Sequence, residues 1–74
     1  MDFHEHIVSD SRVMLGKPVI KGTRITVELI LQLLSEGAGV HEIVLMYPHL
    51  KEDEVLAAIQ YAQAVIATEE MMDA

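Results

Sequence analysis

From Val55 to Ala67 the chain carries no charged residue, and only Gln60, Gln63 and the Tyr61 hydroxyl interrupt its apolar character. The spacing is helical. Val55, Ile59, Ala62 and Ile66 share one face, and Leu56, Ala58 and Val65 widen it. Glu52, Asp53 and Glu54 precede this run, where a helix dipole favours acids. A helix that is apolar nearly all round requires burial on more than one side. The chain has only 74 residues and no cysteine. It therefore lacks disulfides, thiolate zinc sites and a thiol nucleophile. Domains of about 60 residues bury only about 60% of their unfolded surface, and unstapled small chains commonly gain stability by oligomerising. A homodimer is expected.

Two further helices precede it. Thr26 is a candidate N-cap with Glu28 in the first turn, and Val27, Ile30, Leu31 and Leu34 form the apolar face, widened by Leu29 and Leu33. Glu36-Gly37-Ala38-Gly39 should end that helix. A shorter one spans about Val40 to Tyr47 and stops at Pro48. Upstream, the segment from Gly16 to Ile25 reads as two extended pieces around a Lys21-Gly22 turn, and His6-Ile7-Val8 could add a strand. The exposed edge of such strands is a second candidate dimer contact. The expected architecture is one mainly α domain. It comprises a short β segment over 6–25, a three-helix bundle over 26–67, and an acidic tail over 68–74 that frays. Short strands followed by three helices is the order of helix-turn-helix domains.

A hydrophobic content of 51% is too high for a disordered chain, and a net charge of −7 argues against coating nucleic acid or anionic membranes. The first residues, Met1 to His6, lack the basic and apolar regions of a leader, and no apolar run is long enough to span a bilayer. A cytoplasmic protein without membrane contact is expected. The charge is nevertheless uneven. Residues 12–24 carry Arg12, Lys17, Lys21 and Arg24 without any acid, whereas the remainder of the chain is acidic. These four bases are the candidate contacts for nucleic acid or a partner. The third helix offers only Gln60 and Gln63, which leaves it little with which to hold phosphate.

Several short motifs together resemble the bacterial and archaeal domain-of-unknown-function 433 family. They are Gly16-Lys17-Pro18-Val19-Ile20-Lys21-Gly22-Thr23-Arg24-Ile25, Val27-Glu28, Glu36-Gly37, Glu42-Ile43, Tyr47-Pro48-His49-Leu50 and Val55-Leu56-Ala57-Ala58-Ile59-Gln60-Tyr61-Ala62. The resemblance covers about residues 6–64. It implies a homeodomain-like three-helix domain with an N-terminal β-hairpin extension. It also implies a VapB-type antitoxin that occludes a PIN-like ribonuclease toxin and, as a dimer on operator DNA, represses its own operon. No catalytic residues come with it. Two positions depart from the pattern. Lys51 stands where a Thr commonly caps the third helix, and Gly39 stands where a Ser caps the second.

Other chemistry is poorly supported. His4 and His6 could face one way if they lay on a strand, but His41 and His49 are isolated, so no metal or other cofactor is expected. The acids at 52–54 fit helix capping better than catalysis. Met14, Met46, Met71 and Met72 could meet a partner, with Met14 and Met46 equally suited to the core. The expectation is a non-enzymatic antitoxin-like protein. The open alternative is a protein-interaction or oligomerisation module with no nucleic-acid role.

Overall fold

The computed structural model describes residues 3–68. Of the acidic tail over 68–74 only Thr68 is among them; residues 69–74, including Met71 and Met72, lie outside the described residues. A 3-10 turn at Phe3–Glu5 leads into β1 (Ile7–Val8), which pairs antiparallel with β2 (Val19–Ile20). Ile7 stands opposite Ile20 and Val8 opposite Val19. Three helices follow: α1 (Val27–Ser35), α2 (Val40–Met46) and α3 (Glu52–Ala67). This is the mainly helical fold with a short N-terminal hairpin that the sequence led us to expect.

The strand expected beyond the Lys21-Gly22 turn does not form. The turn itself is present: the Thr23 N–H donates to the Ile20 carbonyl at 2.9 Å, and Gly22 takes φ +81°. That left-handed value at the third turn position suits glycine. The Thr23 hydroxyl donates to the Ile20 carbonyl at 2.8 Å and accepts the Ile25 N–H at 3.0 Å. The returning chain meets β2 only through a bridge between Val19 and Thr26. Thr26 cannot continue a strand because it is the N-cap of α1, accepting the Leu29 N–H on its hydroxyl at 3.0 Å. The partner of β2 is therefore the earlier piece, Ile7–Val8.

Each helix end has a visible cause. Glycine at position 37, with φ +103°, closes α1: the Gly37 N–H bonds the Leu34 carbonyl and the Ala38 N–H bonds the Leu33 carbonyl. That pair of bonds is a Schellman closure. Neither Gly39 nor Lys51 has a capping hydroxyl. In each case the third helical residue reaches back instead. Glu42 accepts the Gly39 N–H at 2.9 Å, and Glu54 accepts the Lys51 N–H at 2.8 Å. The acid cluster at 52–54 thus includes a working cap.

The core lies where the sheet and all three helices converge. Ile7 and Ile20 come from the sheet, Val27 and Ile30 from α1, Ile43 from α2, and Leu50, Val55, Ala57 and Ala58 from α3 and its approach. Ile20, Ile30, Ile43 and Val55 are fully buried. Alanines at 57 and 58 let α3 approach its neighbours closely, since each removes a side chain from the contact. Phe3 meets Tyr61 edge to face, with ring centroids 5.5 Å apart, and so fastens the first described residue to α3.

Candidate functional site

The N-terminal segment displays more than bases. Between β1 and β2 the chain turns through residues 10–17, held by the Val13 N–H to the Asp10 carbonyl and the Gly16 N–H to the Val13 carbonyl. Met14, Leu15 and Gly16 follow one another with φ of 49°, 58° and 84°. Left-handed backbone costs a non-glycine residue about 1–2 kcal/mol. Two bulky apolar residues, Met14 and Leu15, bear that cost here. Leu15 is 93% exposed, and Met14 is 42% exposed. Met14 and Met46 are thus both surface residues, which settles the core-or-surface alternative for them.

Of the four candidate bases, two are held by the chain's own acids. Arg12 grips the Asp10 carboxylate with two side-chain bonds, Nε to Oδ1 at 3.1 Å and Nη2 to Oδ2 at 2.9 Å. The Arg12 backbone N–H adds a third, to Oδ1 at 2.9 Å. The Arg12 side-chain bond, then its backbone bond, holds the Asp10 carboxyl below its ordinary value, and Arg12 is raised in turn. Lys17 bonds Glu28 of α1 at 2.8 Å. Its hydrogen bond, then its charge, lowers Glu28. Both pairs lie in solvent, where such attractions are weak and salt-sensitive. Lys21 and Arg24 flank the turn beside Gly22, are exposed, and make no ion pair among the described residues.

The two candidate contacts on α3 separate. Gln63 is exposed, but its neighbours are Leu31, Ile59, Ala62 and Ile66. Gln60 turns its Oε1 out of solvent with no hydrogen-bond partner among the described residues. Its amide oxygen is thus withdrawn from the surface that a groove-reading helix would present. The physical reason is that α3 spends its polar residues on its first turn and its apolar ones on packing.

An open trough of about 460 Å³ runs between α1 and α3. Val27, Leu31, Tyr61, Ala62, Val65 and Ile66 line it, with Pro18 and the Lys17–Glu28 pair at its edge. Val65 and Ile66 are 43% and 58% exposed. His4 and His6 do not share a strand face. Phe3–Glu5 is a 3-10 turn, and the His4 ring stacks on Phe3 with centroids 4.3 Å apart. Among the described residues, no three His, Asp or Glu side chains gather as a metal site. No described helix is long and apolar enough to cross a membrane.

The model of the family described as "Protein of unknown function (DUF433)" matches residues 7–62. The chain belongs to this family. An uncharacterized protein of Archaeoglobus fulgidus is 71% identical over 24 residues, covering 32% of this chain and 67% of that protein. No solved structure matches this DUF433 chain.

Leu15 is the residue that sequence reasoning missed. Its apolar side chain suits a core, but the structure leaves it 93% exposed. A signal did exist: Gly16 and Pro18 two residues apart mark a turn, and a turn holds its side chains outward.

Proposed function

We propose that this chain is a non-enzymatic, antitoxin-like protein of the cytoplasm that binds and neutralises a PIN-like ribonuclease toxin. The loop around Leu15 is its contact. The observation that carries the reading is a bulky apolar side chain, 93% exposed, held out on left-handed backbone. Such a residue is unfavourable twice over in the free chain, through its torsion and through its hydration, and a partner's pocket removes the second cost. Arg12 and Met14 stand beside it, so the loop combines an apolar anchor with an adaptable thioether and a long cation. The acids in the first turn of α3 give no comparable anchor.

The experiment is co-expression with the product of the adjacent gene. A stable complex that Leu15→Asp abolishes supports the reading. Absence of a complex, or a complex indifferent to Leu15→Asp, sinks it.

A second reading, operator binding and autorepression, draws on Lys21 and Arg24, the exposed bases at the hairpin turn. Duplicated in a pair of chains, they would present four cations without using α3. A gel shift with the upstream DNA at two salt concentrations separates this from a module confined to proteins: phosphate contacts weaken steeply with salt, and no shift at low salt ends the idea.

A further inference from the structure

We infer that a second copy of this chain seats on the α1–α3 face, the two copies related by a twofold axis, each inserting Val65 and Ile66 into the other's trough. The partly covered flank of α3 is the first reason. Val65 and Ile66 line the trough together with Val27 and Leu31 of α1, yet they are 43% and 58% exposed, so among the described residues α1 covers this end of α3 only in part.

Charge decides the occupant. In a chain of net charge −7, no residue from Val55 to Thr68 is charged. Two acidic copies repel over most of their surfaces, and this is where they approach without opposing charges. A basic partner, by contrast, would find no carboxylate on the trough floor. At its edge stand one cation and one anion, Lys17 and Glu28. These two are bonded to each other, so a twofold axis brings together rims that are each neutral and do not repel. The alternative edge, β1, offers only Ile7 and Val8 for pairing.

This surface shares no residue with the Leu15 contact, and the two ideas fail separately. Light scattering on the full chain, over about 1 to 100 µM, should give twice the single-chain mass of 8.2 kDa. Ile66→Glu and Leu31→Glu, both at exposed positions, should weaken the pair at least about thirtyfold while keeping the helical circular dichroism. Leu45→Glu, on the exposed side of α2, and Leu15→Asp should leave the mass unchanged. A single-chain mass for the unaltered protein throughout the range overturns the inference, whether residues 69–74 or a different protein fills the trough. So does a pair that survives both charged variants. Loss of partner capture in Leu15→Asp with the mass intact bears only on the antitoxin reading.

Discussion

The Lys17 ammonium lies 2.8 Å from the Glu28 carboxylate, joining the segment that enters β2 to the first turn of α1. The bond lies at the edge of the apolar trough, so it orders that edge as well as the chain's path. Both side chains remain more than half in water, at 53% and 70% exposure. A double-mutant cycle with Lys17→Ala and Glu28→Gln should therefore show a small coupling that vanishes near 0.5 M salt, where screening lengths shrink to a few Å. A coupling that persists in salt would mean that the trough's occupant shields the pair.

Leu15→Gly separates strain from function. Glycine accepts φ 58° without the penalty a leucine bears. The variant should gain about 1 kcal/mol in urea unfolding and lose its hold on the partner protein. A stability that falls instead would show that Leu15 packs on something in the free chain.

Burial should order the cost of truncations. Ile43 is 0% exposed and Leu45, two residues on, is 66% exposed. Ile43→Ala should cost about 2–5 kcal/mol, enough to leave much of a domain this small unfolded. Leu45→Ala should stay within about 0.5 kcal/mol. Urea midpoints at one protein concentration compare them, and equal losses would contradict the packing of α2.

Acid should loosen the 10–12 turn. Asp10 binds its proton less readily folded than unfolded, because Arg12 bonds the ionised form. Its contribution is complete above the ordinary aspartate range and is lost as pH falls through the lowered folded value. The Arg12 amide, bonded to the same carboxylate, should report this in an NMR titration. Its midpoint should lie below that of a short peptide spanning the same residues. Asp10→Asn should remove the transition; an unchanged midpoint in that variant would assign it to another group.

Much of the fold could be read in advance from local chemistry. Thr26, Gly37 and Pro48 set helix boundaries through a hydroxyl, a permitted torsion and a missing donor, all properties of single residues. The failures share a different cause. Whether Val19–Ile20 pairs forward or backward depends on Thr26 being claimed by α1, a competition between two elements. Gln60 and Gln63 have the same side chain, and only their azimuth around α3 separates a withdrawn amide from an exposed one. Likewise Arg12 and Lys17 count as free bases in a composition, but Asp10 and Glu28 lie within reach only after the turns have formed. Candidate contacts were legible as residue types; their partners required three dimensions.

The uncharged stretch of α3 and the basic loop answer to different solvents. Added salt screens contacts that rest on Arg12, Lys21 or Arg24, yet leaves apolar burial intact or strengthens it. If two chains pair as inferred above, a column wash of rising ionic strength should strip away whatever these cations hold while the pair remains on the matrix. The molecule would come apart in a fixed order, its outer associations first and its symmetric pairing last.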